Sequence, residues 1–193
     1  MTIHPAAAST SSGIMDSPRL NELYFYLTAG CNLACRHCWL APKLDVDGTK
    51  YPTLPVALFE QILDEARPLG LSAVKLTGGE PLLHPQIERL LDAVRERGLS
   101  LRVETNGVLC TPRMAAAIAK NPSRYVSISI DGVDAATHDG VRGVPGSFEL
   151  ALRAVNNLVE AGISPRSSCR SCGATWIRWS RWCGLRRRSA PAR

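Results

Sequence analysis

The sequence predicts an α/β fold with parallel strands, and three observations carry that prediction. Short runs of apolar, β-branched and aromatic residues alternate four times with longer segments whose apolar residues recur at helical spacing. Turn residues follow the inner strands, as Gly78-Gly79, Asn106-Gly107 and Asp131-Gly132. The chemically unusual clusters fall at those same strand ends, where parallel sheets place their ligands. Repeated strand-then-helix order is satisfied by right-handed crossovers with the helices outside.

The elements follow in order. Leu20 to Leu27 (LNELYFYL) is strand-like and runs into a cysteine loop. Phe59, Ile62, Leu63 and Ala66 keep one helical stripe, with Gly70 as a stop. Ser72 to Leu76 is the second strand. The next helix sets Ile87, Leu90, Leu91 and Val94 on one face, with Pro85 near its start and Gly98 past its end. Leu99 to Thr105 is the third strand, and Pro112 opens a helix through Met114 and Ile118. Arg124 to Ile130 is the fourth strand; Phe148, Leu152, Val155 and Val159 stripe the fourth helix, which stops at Gly162.

A chain of 193 residues has the size of one domain and can bury a core without disulfides. No run of about 18 apolar residues occurs, and the first residues lack the cationic start and apolar stretch of a signal peptide. The expectation is a cytoplasmic protein, without membrane partners, whose residues 1–19 are a flexible lead. The net charge of +6 would suggest nucleic acid, but its distribution argues against it. Residues 166–193 hold eight arginines and no acid, so the rest of the chain is slightly acidic.

Cys31, Cys35 and Cys38 stand within eight residues, spaced C-x3-C-x2-C, with His37 between the last two. In a reducing compartment such a cluster points to metal or catalysis rather than to bridges. Zinc is one candidate, since C-x2-C is a ligand pair and His37 offers a nitrogen, although adjacent His37 and Cys38 do not reach one ion comfortably. An iron–sulfur cluster is the other: three thiolates leave one iron of a cubane open, as catalytic sites require.

With Thr77-Gly78-Gly79-Glu80-Pro81 at the next strand end, the cysteine loop resembles the radical S-adenosylmethionine (radical SAM) superfamily, over about Leu20 to Gly162. The resemblance implies an incomplete (β/α)6 barrel with about four β/α units present. It implies a [4Fe-4S] cluster on Cys31, Cys35 and Cys38, with S-adenosyl-L-methionine chelating the open iron. Its reductive cleavage gives a 5'-deoxyadenosyl radical that takes a hydrogen atom from substrate. Gly78, Gly79 and Glu80 would meet the SAM ammonium, although GGEP alone is also a plain turn with Pro at a helix start. His37 stands where an aromatic residue commonly lies by the adenine. Ser129 and Asp131 resemble the ribose contacts; small polar residues turned inward are the other reading. Arg142 fits an arginine that pairs the SAM carboxylate in the anaerobic sulfatase-maturase and peptide-maturase (SPASM) branch, and is otherwise a surface arginine. Glu104 and Asn106 could face the site, though turn chemistry alone explains Asn106-Gly107. Cys110 is expected as a buried small residue.

The implied partners are a peptide substrate and an electron donor such as ferredoxin or flavodoxin. The sequence also allows a non-catalytic iron–sulfur or zinc-binding protein with a basic partner-binding tail. The core is expected over 20–165, and residues 166–193, rich in Arg, Trp and Cys, as a disordered tail. Three readings of that tail compete: a metal site on Cys169, Cys172 and Cys183, an arginine-rich arm, or a frameshift near Pro165. A frameshift would account for the simultaneous loss of acids and apolar periodicity and would remove the last two strands.

Overall fold

The structure, a computed structural model, describes residues 19–41 and 51–168. The expectations for residues 1–18 and for Cys169, Cys172 and Cys183 lie outside the described residues.

Five parallel strands form one sheet in sequence order: β1 (Glu22–Tyr26), β2 (Ala73–Thr77), β3 (Ser100–Thr105), β4 (Arg124–Ser129) and β5 (Arg166–Ser168). Helices α1 (Val56–Ala66), α2 (Ile87–Glu96), α3 (Pro112–Ala119), α4 (Ala135–Arg142) and α5 (Ser147–Glu160) connect them. Strand alternation separates two kinds of row. Phe25, Val74, Leu76, Leu101, Val103, Val126 and Ile128 are buried in the core with the apolar stripes of α1, α2, α3 and α5. Phe25 meets Phe59 of α1 edge to face, with centroids 4.5 Å apart.

The opposite rows are polar. Tyr24, Lys75, Arg102 and Tyr125 are register partners across β1 to β4. On this face Lys75 Nζ pairs with Glu104 at 2.8 Å and stands 4.5 Å from the Tyr24 ring centre. Partial burial pulls the Lys75 ammonium down, but Glu104, with Tyr24 and Glu22 adding to it, holds the pKa above its usual value.

Two features correct the expected layout. The fourth crossover carries two helices. Helix α4 is short, opened by the Asp134 side chain accepting from the Thr137 N–H at 2.8 Å. Asp139 within it accepts from Gly146 N, Ser147 Oγ and Phe148 N at 2.7–2.8 Å, which fixes the start of α5. Second, the residues expected to open a strand-free tail form β5, with Ser127, Ile128 and Ser129 opposite Arg166, Ser167 and Ser168. Ladder bonds are made by the backbone, so a polar Arg-Ser-Ser segment serves where only a short pairing is needed. The GGEP segment is a turn in part: Pro81–Leu83 form one 3-10 turn before α2.

Candidate functional site

The carboxyl ends of β1 to β4 open into one cavity, and the fold brings the three cysteines to it from a single loop. That loop is tied on both sides by backbone hydrogen bonds. On the β2 side, Gly79 N donates to Thr28 O at 2.8 Å and Glu80 N to Gly30 O at 2.9 Å. A Cβ on Gly79 would run into the Gly30 carbonyl, so this approach requires glycine. On the other side, Ala34 N donates to Arg142 O at 3.0 Å and Arg36 N to Val141 O at 2.9 Å, at the carboxyl end of α4. Those carbonyls are among the last of the helix and lack intrahelical donors.

Cys31, Cys35 and Cys38 are free thiols and all line the cavity. Burial pushes the Cys31 thiol up to about 11; Glu80, Cys35 and Cys38 add to this, while the Leu33 N–H opposes it. Cys110 is buried in the core and does not line the cavity, as expected for a small apolar side chain. Burial pushes it to about 12.

Glu80 is fully buried at the cavity wall. Its Oε1 accepts from Thr105 Oγ1 at 2.7 Å and from Leu82 N at 3.1 Å, and its Oε2 from Asn106 N at 2.8 Å. Burial raises its pKa against the pull of these donors. Three of roughly four lone-pair positions are thus filled by the protein, leaving one on Oε2.

Arg142 is buried despite its charge. Its Nη2 pairs with Asp131 Oδ2 at 2.6 Å, and its Nη1 donates to Cys35 Sγ at 3.4 Å. Its Nε has no hydrogen-bond partner among the described residues. His37, Gly78, Gly79, Ser129 and Arg142 line the cavity with the cysteines and Glu80. Asp131 does not. It is packed behind, between Arg142 and His37, whose Nε2 is 3.8 Å away.

Several cavity residues were not singled out in the sequence. Thr105 holds Glu80, and Trp39, beside Cys38, is 66% exposed at the cavity and meets Tyr26 edge to face at 5.9 Å. Asn106, expected either to face the site or only to make the turn, lines the cavity, donates from Nδ2 to Asn32 Oδ1 at 2.8 Å and lies 3.9 Å from Cys31 Sγ. Nothing in local sequence distinguishes that second use, because the turn accounts for the residue by itself.

Comparison with known proteins agrees with this geometry. The family profile described as Radical SAM superfamily matches residues 25–173. The AdoMet-dependent heme synthase of Nitratidesulfovibrio vulgaris is 34% identical over 164 residues, covering 84% of this chain and 44% of the relative. The mycofactocin maturase MftC of Mycobacterium ulcerans is 37% identical over 143 residues, covering 74% and 37%. Among solved structures, Streptococcus suis SuiB bound to S-adenosylmethionine superposes with a TM-score of 0.67 at 25% identity, covering 77% of this chain and 33% of that one. The chain spans less than half the length of these relatives.

Proposed function

Because this chain belongs to the radical SAM superfamily, we propose that it forms the cofactor-binding part of an enzyme that cleaves SAM reductively and takes a hydrogen atom from a peptide. The observation that carries the reading is the meeting, in one cavity, of three free thiols from one loop with the Gly-Gly-Glu end of β2 and a buried arginine. The donor set fits a multi-iron cluster better than one zinc ion. Cys31, Cys35 and Cys38 line one cavity with no fourth cysteine among the described residues on its wall, and three thiolates leave one iron of a cubane open.

When bound, the [4Fe-4S] cluster and SAM supply one-electron cleavage of the sulfonium and abstraction of a hydrogen atom. The protein's own part is positioning. The lone pair left on Glu80 Oε2 suits the ammonium of the methionine moiety, and the unpartnered Nε of Arg142 suits its carboxylate. His37 and Ser129 stand on the cavity wall for the nucleoside, with the Gly78-Gly79 backbone beside them. Asp131 enters this reading as the partner that orients Arg142.

A peptide substrate is supported by the resemblance of the motifs to the peptide-maturase branch and by the maturase relative; the SuiB structure with its precursor peptide SuiA, at 24% identity, bears on fold alone. A redox protein such as ferredoxin or flavodoxin would supply the electron. The test is anaerobic reconstitution of the full chain with iron and sulfide, then dithionite and SAM. About four irons per chain and release of 5'-deoxyadenosine are expected; one zinc, or iron without SAM cleavage, overturns the reading.

A further inference from the structure

Cys35 is gripped by one residue of another element. The carbonyl of Arg142 accepts from Ala34 N, next to Cys35, while the guanidinium of the same residue donates to Cys35 Sγ at 3.4 Å. The other side of that guanidinium is neutralised by Asp131 at 2.6 Å, and the two side chains are 9% and 0% exposed. The thiols are not treated alike: Cys31 meets the uncharged Leu33 N–H and, at 3.9 Å, Asn106 Nδ2, whereas the donor on Cys35 is charged. A buried arginine whose charge is already balanced by an aspartate has more to do here than meet one carboxylate.

We propose that Arg142 is a positioning residue which holds Cys35 as an N–H···S donor and, in balance with Asp131, sets the reduction potential of the cluster carried by the cysteine loop. The inference rests on the cluster reading above. A hydrogen bond and a positive charge beside a ligating thiolate favour the electron-rich, reduced state and so raise the potential. Burial keeps water from screening either charge, so removing one member of the pair uncovers the other. The two removals therefore act in opposite directions. Loss of Arg142 takes away the donor and leaves Asp131 negative, making reduction harder. Loss of the Asp131 charge leaves Arg142 beside Cys35 with less negative charge to balance it, Glu80 remaining, making reduction easier.

The experiment is stepwise dithionite reduction of the reconstituted full chain, followed by electron paramagnetic resonance with SAM absent. Omitting SAM keeps any contact of Arg142 with its carboxylate out of the result. Arg142→Met is expected to move the midpoint potential more negative and Asp131→Asn more positive, with Arg142→Lys between Arg142→Met and the parent. A purely structural role would lower iron content in both variants without opposed shifts. Midpoints equal to the parent's, or shifts of the same sign, overturn the inference. If Arg142→Met fails to hold iron, Asp131→Asn decides alone: a positive shift supports the inference, and an unchanged or negative one overturns it. Failure of the parent to take up about four irons per chain would instead strike the underlying cluster reading.

Discussion

The main-chain N–H of Asn106, at the end of β3, donates to Glu80 Oε2, at the end of β2, across 2.8 Å with both residues buried. One carboxylate thus joins two strand ends and leaves a single lone pair toward the cavity. Glu80→Gln keeps the shape but turns an NH2 group toward donors. It should cost about 1–3 kcal/mol by urea unfolding of the apo chain. SAM binding to the reconstituted chain, followed by calorimetry, should weaken in parallel.

Gly143 and Gly162 offer a controlled comparison, since both end helices with left-handed φ, 74° and 75°. A Cβ on Gly162 meets nothing within 4 Å, whereas one on Gly143 would stand 2.5 Å from Ala34 O in the cysteine loop. Gly162→Ala should cost only the left-handed strain, about 1–2 kcal/mol. Gly143→Ala should cost more and also lower iron retention after reconstitution. Equal losses in thermal unfolding and equal iron contents would show that the α4-to-loop contact is not tight.

His138 gives the fold a predictable pH response. It is buried, and its Nδ1 accepts the Asp131 N–H at 3.2 Å, an arrangement open only to the neutral ring. Burial first, and then the nearby Arg142 charge, lower its pKa, while Asp131 and Asp139 oppose them. The unfolded chain therefore binds this proton more readily than the folded one. Stability from His138 is fully present above the unfolded value of 6.5 and falls as pH drops from there toward the lower folded value. His138→Asn should flatten the slope of unfolding free energy just below that pH; an unchanged slope would remove His138 as its source.

Phe59 is fully buried between α1 and β1, stacked edge to face on Phe25. Phe59→Ala should destabilise the chain by about 3–5 kcal/mol in chemical unfolding, because the sheet on one side limits collapse into the space left.

The sequence made the sheet legible because its helices bury long stripes such as Leu90, Leu91 and Val94, which periodicity reveals. Helix α4 was illegible for the opposite reason: eight residues including Gly140 bury only His138 and Arg142, leaving no stripe. The cysteine and Gly-Gly-Glu motifs announced the site, since each is defined by neighbours in sequence. The ribose contact expected of Asp131 rests on resemblance alone, and the residue stands behind the cavity wall against Arg142. β4 ends at Ser129, and two residues later the Asp131 carboxylate pairs with Arg142. Contacts between elements, such as Arg142 with Cys35, have no local sequence signal.

The cysteine loop is fastened at its two flanks by main-chain amides and carbonyls of the β2 end and of α4. Its order is inherited from the sheet and from α4, so the conformational entropy of arranging it has already been met when the chain folds. Metal uptake then resembles docking into a rigid receptor more than folding around an ion. The free energy of that uptake should appear as a higher melting temperature of the loaded chain, and the far-ultraviolet spectrum should stay unchanged.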